Sequence, residues 1–246
     1  MPELPEVEVV KRSLRSKVQN LIIKKVKIND DRLRYRINKN LIRKIIGLKL
    51  KKIERRSKFL LFFFAKGSVM LVHLGMTGKF FFMNQKKKKF KTSFYYNINN
   101  VKDQKHDRVI FFFNKNQKLI YNDIRKFGFI KFLKKKKLKN NLHIKNLGPE
   151  PLRKKFNYAY FKEHIIDRNR VIKDILMDQK FVSGIGNIYA NEILFLSKVK
   201  PTRNVKNLSE FEIKKIIKFT KKVLSNANRV GRITKKDFSY KNGKKG

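Results

Sequence analysis

Pro2, Glu3, Pro5, Glu6 and Glu8 stand together at the start of the chain. Removal of the initiator Met turns Pro2 into a secondary amine with a pKa of about 8. At neutral pH such an amine is partly unprotonated and can attack a sugar C1′ or an aldehyde to give a Schiff base. Glu3 and Glu6 flank it in a chain with only 18 acidic residues. Carboxylates beside a nucleophilic amine can move protons. The same residues also fit an ordinary N-terminus with acids in the first helical turn, where they suit the helix dipole.

Four distant segments carry the reading further. They are His73-Leu74-Gly75-Met76-Thr77-Gly78, Asp123-Ile124-Arg125-Lys126-Phe127-Gly128, Leu147-Gly148-Pro149-Glu150-Pro151-Leu152, and residues 184–192, which run from Gly184-Ile185-Gly186-Asn187 to Asn191-Glu192. With Pro-Glu-Leu-Pro-Glu at the start, and in this order, they make the chain resemble the bacterial formamidopyrimidine-DNA glycosylases from Met1 to about Gly246. Each motif alone is weak; five in register are not a chance pattern.

The resemblance implies roles residue by residue. Pro2 is the nucleophile, Glu3 supplies a proton to the sugar, and Glu6 and Lys58 complete the catalytic group. His73, His106, Arg168 and Asn187 look like DNA-contacting positions. The Gly184–Asn187 turn is expected to present free N–H groups to phosphate, as glycine turns entering a helix can. Phosphate contacts position a protein without reading sequence. Met76, Arg125 and Phe127 resemble the residues that fill the void when a nucleotide is rotated out of the stack. By itself Met76 or Phe127 fits a core, but Gly75, Gly78 and Gly128 favour loop tips.

The implied chemistry is bifunctional: an oxidised purine (8-oxoguanine or a formamidopyrimidine) leaves, and the sugar is then eliminated through an iminium. No metal or organic cofactor is expected. The family ends in a zinc finger with four Cys. This chain has no Cys and ends at Lys244-Lys245-Gly246, so the family zinc site is expected to be absent. A truncated, a shortened but active, or a degenerating enzyme all fit that ending.

Composition points the same way. Lys plus Arg number 64 against 18 acids, for a net charge of +46. Such a balance calls for a polyanion, here double-stranded DNA with oxidised purines or abasic sites, bound with strong salt dependence. Part of the lysine excess fits an AT-rich coding bias. Apolar runs are short, at 59–65, 69–72, 80–83 and 109–113, far below a membrane span. The chain reads as a cytoplasmic monomer with no membrane partner.

The elements that must hold these residues follow from periodicity. Val7, Val10 and Leu14 predict a helix over residues 5–17. Phe-, Val- and Ile-rich runs bounded by turn residues predict strands up to about residue 133. Ser209-Glu210-Phe211-Glu212 is a capping box, with Leu208 and Ile213 placed as a hydrophobic staple for a helix to about Ala227. Another helix is expected over 187–195. The expected class is α+β: an N-terminal β-sandwich with a leading helix (1–133), a basic linker (134–156) and a helix–two-turns–helix domain (157–246). The lysine-rich stretch 85–105 reads as a flexible insertion. A DNA-binding relic without turnover is the alternative function. An RNA-binding protein shares the charge but has no use for the N-terminal motif.

Overall fold

The computed structural model of the protein describes residues 1–83, 89–91 and 101–230. Helix α1 (Leu4–Val18) leads, followed by β1 (Ile23–Ile28), the short α2 (Lys39–Arg43), β2 (Leu50–Arg56), β3 (Phe59–Phe64), β4 (Ser68–His73) and β5 (Lys79–Met83). Then come β6 (Lys89–Lys91), β7 (Asp107–Phe113), β8 (Gln117–Asn122) and β9 (Phe129–Lys134). The remainder is helical: α3 (Leu142–Lys145), α4 (Tyr158–Ile165), α5 (Ile172–Met177), α6 (Asn187–Ser197) and α7 (Glu210–Val230).

The strands form two antiparallel sheets, ordered β1-β7-β8-β5-β6 and β2-β3-β4-β9. Period-two alternation sends Leu60, Phe62 and Phe64 of β3 inward to meet Phe80, Phe82, Phe111 and Tyr121 of the other sheet. This is the expected sandwich. α1 closes it with Val7, Val10 and Leu14, the stripe read from the sequence.

β3 is also apolar on its other face. Leu61, Phe63, Val69, Leu71 and Phe129 form a separate cluster, covered by Leu138 and Ile144. The basic segment after residue 133 is therefore not a bare tether. It makes a short 3-10 turn at Lys135–Lys137 and the helix α3, and packs Leu138 and Ile144 on the sheet while Leu142 stays exposed. Its lysines remain exposed because only Leu138 and Ile144 have a face to bury.

A third cluster, from Phe156 to Ala227, is the core of the helical region. The capping box of α7 forms: the Ser209 N–H donates to Glu212 Oε2 and the Glu212 N–H to Ser209 Oγ. Leu208 and Ile213 lie in the same cluster. α1 reaches this region too, where Arg12 donates to the Asn228 carbonyl at 2.8 Å. Of the stretch 85–105, residues 89–91 extend a sheet and 101–106 make a 3-10 turn. Residues 85–88 and 92–100 lie outside the described residues, as does the segment 231–246.

Candidate active site

Glu3 is extended at the N-cap of α1 (φ −98°, ψ −172°), and its N–H donates to Glu6 Oε2 at 2.9 Å. Glu6 thus caps its own helix, and Pro5 in the first turn brings a preset φ without needing an N–H partner. The Glu3 carboxylate reaches from the start of α1 to the N-terminus of α6. It accepts from the Gly186 N–H at 2.6 Å, the Ile188 N–H at 2.9 Å and the Tyr189 N–H at 3.4 Å.

These contacts explain two glycines. A Cβ at Gly186 would lie 2.5 Å from the Glu3 carboxyl carbon. Gly184 has φ +98°, and a Cβ there would meet the Leu4 side chain at 2.7 Å. The Leu4 N–H donates to the Gly184 carbonyl at 3.0 Å, so the start of the chain lies against this loop. Pro2 is buried and Met1 is exposed. The expectation that the Gly184–Asn187 turn offers free N–H groups to phosphate is corrected for Gly184 and Gly186. Gly184 donates to Gln179 Oε1, and Gly186, Ile188 and Tyr189 donate to Glu3. An internal carboxylate fills the anion seat at this helix end, leaving exposed Asn187 as the outward-facing residue.

Glu3, Glu6 and Lys58 form one buried electrostatic group. Burial raises the Glu3 carboxyl above 4.5, against the opposing pull of Lys58 and the three N–H bonds. Burial raises Glu6 as well, and the Tyr189 hydroxyl, donating at 2.6 Å, opposes it. Lys58 is 6 % exposed. Burial lowers its ammonium below 10.5, while Glu3 and Glu6 push it back up. It has no hydrogen-bond partner among the described residues. A carboxyl raised by burial keeps its proton to a higher pH, which a proton donor at neutral pH requires.

Lys58 is placed by the tight turn between β2 and β3, where Ser57 adopts φ +55°. Glu150 holds that turn. It accepts from the Ser57 N–H at 2.7 Å and pairs with Arg55 at 2.8 Å and Arg56 at 3.0 Å. Arg56 also donates to the Leu147 and Gly148 carbonyls and to Ser183 Oγ. Gln179 adds a second tie, accepting from the Ser57 hydroxyl at 3.3 Å while it donates to the Ile185 carbonyl at 2.7 Å. The segment 147–152 is thus the buckle between the sandwich and the helical region.

His73, at the end of β4, continues the site. Burial, then Lys58, Arg34 and His143, lower it to about 4. Its Nδ1 accepts the Gly75 N–H at 3.1 Å, so the neutral ring carries its proton on Nε2, a donor suited to a phosphate oxygen. The wedge candidates occupy two adjoining loops. Met76 is 40 % exposed and Phe127 45 %, so neither is a core residue. Arg125 lies 4.5 Å over the Phe127 ring. Asp123 joins the loops, accepting from Thr77 Oγ1, the Gly128 N–H and the Tyr121 hydroxyl, while Thr77 Oγ1 accepts the Arg125 N–H.

His106 lies beside Arg108 (3.2 Å), a buried guanidinium that also binds Asp30 and the Asp123 carbonyl. Arg168 does not join these groups; it lies 3.9 Å from Asp178 in the helical region. The sequence reading assigned no role to Tyr189, Glu150, Asp123 or Gln179. Three of them sit inside the motifs quoted above, where an acid or phenol among glycines was the available signal.

The family model for the formamidopyrimidine-DNA glycosylase N-terminal domain matches residues 1–130, and that for the formamidopyrimidine-DNA glycosylase H2TH domain matches residues 147–239. A formamidopyrimidine-DNA glycosylase of Rickettsia bellii is 39% identical over 246 residues, covering 100% of this chain and 85% of the relative. That of Rickettsia felis is 38% identical, covering 100% and 84%. Among solved structures, Lactococcus lactis Fpg with abasic-site DNA matches at TM-score 0.82 and 28% identity, covering 94% of this chain and 81% of that one. A Lactococcus lactis Fpg mutant with Fapy-dG DNA matches at 0.84 and 27%, covering 100% and 85%. The 246 residues contain no cysteine, and among the described residues no cluster of three His, Asp or Glu could hold a metal. The residues present therefore do not build a thiolate zinc site.

Proposed function

This chain belongs to the formamidopyrimidine-DNA glycosylase family, and from that premise we propose how its residues carry the family's reaction. The protein is a base-excision-repair DNA glycosylase with AP-lyase activity, acting on oxidised purines in duplex DNA. Abasic-site and Fapy-dG DNA, bound by its Lactococcus relatives, are the ligands to test first.

With Met1 removed, the Pro2 amine attacks C1′ of the damaged nucleotide. Glu3 gives its proton to the sugar ring oxygen as C1′ changes partner, and the base leaves with the bonding electrons of the glycosidic bond. The amine then loses its proton and its lone pair expels the protonated ring oxygen: the C1′–O4′ bond breaks, O4′ leaves as the C4′ hydroxyl, and an iminium joins Pro2 to C1′. A proton is then taken from C2′ and the 3′ phosphate is expelled; a second elimination expels the 5′ phosphate. Lys58 holds a phosphate near the reacting sugar and stabilises the ionised Glu3 that forms. His73 donates from Nε2 to a neighbouring phosphate, and Asn187 donates its amide. His106 and Arg168 contact the backbone further out. Met76 and Phe127 enter the void left by the flipped nucleotide while Arg125 bonds the orphaned base. All of these steps draw on groups of the chain itself, with no organic cofactor or metal.

The observation that carries this reading is the buried, raised Glu3 carboxyl beside Pro2 and the unpartnered Lys58. The test is borohydride trapping on an 8-oxoguanine duplex. An adduct mapped to Pro2 is expected, and a tag that extends the N-terminus should abolish it. An adduct that survives the tag places the nucleophile elsewhere.

A further inference from the structure

The four-stranded sheet carries a second set of basic groups beyond His73. Phe59, His73 and Phe129 face one another across β3, β4 and β9, and Lys131 stands two residues on, on the same face. Helix α3 brings the His143 ring to 4.7 Å from Phe129, which itself stacks on His73 at 5.6 Å. Lys131 Nζ is 2.8 Å from His143 Nε2 and 3.9 Å from the centre of the Tyr35 ring. Exposed Arg34 lies 5.9 Å from the Tyr35 centroid. Its own N–H donates to the Gly128 carbonyl at 3.1 Å, tying it to the wedge loop.

Lys131 and Arg34, the two cations of this set, have no ion-pair partner among the described residues. Several other cations of the molecule are matched: Arg55 and Arg56 by Glu150, Arg108 and Lys126 by Asp30, Arg170 by Asp178. Among the described residues no carboxylate pairs with Arg34, Lys131 or His143. Burial lowers both Lys131 and His143 from their ordinary values, and Lys131 and Arg34 lower His143 further. Aromatic faces hold the lysine in place but supply no full negative charge. The group is short of one anion, and it opens onto the face that carries His73.

We propose that Arg34, Lys131 and His143 form a second phosphate subsite, which takes a backbone phosphodiester of bound duplex DNA next to the one held by Lys58 and His73. Lys131 and Arg34 donate to its oxygens, and its charge favours a protonated His143. Duplex DNA is the fitting carrier because a strand presents a phosphate every 3.4 Å along the axis, and the subsite continues the row from His73. The inference rests on the DNA-glycosylase reading for the carrier of the anion, not for the existence of the subsite.

The test measures the salt dependence of binding to a short duplex, undamaged and with a tetrahydrofuran abasic analogue. Lys131→Gln and Arg34→Gln should each make the log–log salt slope shallower by about 0.9, one phosphate contact. Equivalently, the wild-type advantage should shrink about threefold between 50 and 200 mM salt. Lys131→Arg should keep the wild-type slope. Arg34 is exposed, so Arg34→Gln remains a test even where Lys131→Gln unfolds. An unchanged slope in folded variants overturns the subsite, even with borohydride trapping intact. A shallower slope with no trapping by the wild type would instead sink the Schiff-base chemistry and leave the subsite standing.

Discussion

Glu3 and Glu150 each carry a carboxylate from one hydrophobic core to the other, yet their surroundings are opposed. Glu3 is met by three backbone N–H groups and one buried lysine that makes no hydrogen bond to it. Burial dominates, and its carboxyl is raised. Burial would raise Glu150 too, but Arg55, the Ser57 N–H and Arg56 outweigh it and hold the carboxyl below 4.5. Full guanidinium charges in direct contact beat desolvation, whereas N–H dipoles and one lysine do not. The first arrangement leaves a proton available for transfer. The second keeps a carboxylate permanently ionised, which suits a fastener.

The contrast breaks or sharpens under substitution. The largest effect is expected from Glu3→Gln, which should slow single-turnover excision by about 10²–10⁴-fold, the range for a lost general acid. Binding to an abasic analogue should largely hold, since the single amide oxygen still accepts from one side of the α6 terminus and the chain keeps its phosphate-binding groups. Equal loss of excision and binding would make Glu3 another fastener and erase the distinction.

Glu150→Gln comes next. It leaves Arg55 and Arg56 without their shared charge and should cost about 2–3 kcal/mol at neutral pH, less than for a fully buried pair because the site is partly wet. Thermal unfolding measures it, and pH gives the comparison its sign. The Glu150 carboxyl is depressed in the folded state, so its contribution is full above 4.5 and fades as pH falls through the folded value. The gap between wild type and Glu150→Gln should therefore close in acid. Glu3 is raised, so it favours folding below 4.5 and loses that contribution as pH rises through its folded value. The balance between wild type and Glu3→Gln should shift toward the variant as pH rises. Two gaps that move the same way with pH would contradict the assigned shifts.

The smallest effect is expected from Tyr189→Phe. It removes the 2.6 Å hydrogen bond to Glu6 and should cost about 1 kcal/mol of stability. Chemical denaturation resolves that loss. A loss as large as that of Glu150→Gln would show that the Glu3–Glu6 end of the molecule is also a fastener.

Much of this molecule was determined by its sequence alone. The helix through Val7, Val10 and Leu14, the Phe-rich strands and the capping box at Ser209 all follow from periodicity and local hydrogen bonding. Those signals act within a few residues and survive without knowledge of the rest of the chain. The loop-tip placement of Met76 and Phe127 was legible for the same reason, from the glycines around them. What only the tertiary structure decided is which charges meet. That Glu3 occupies the N-terminus of α6, 183 residues downstream, placed an internal carboxylate in part of the expected phosphate cradle. The roles of Glu150 and Asp123 and the docking of segment 134–147 are likewise invisible to spacing. Glu150 pairs with residues more than ninety positions away, Asp123 ties two adjoining loops, and the segment docks on a face that only the folded sheet presents; no local pattern encodes such partners.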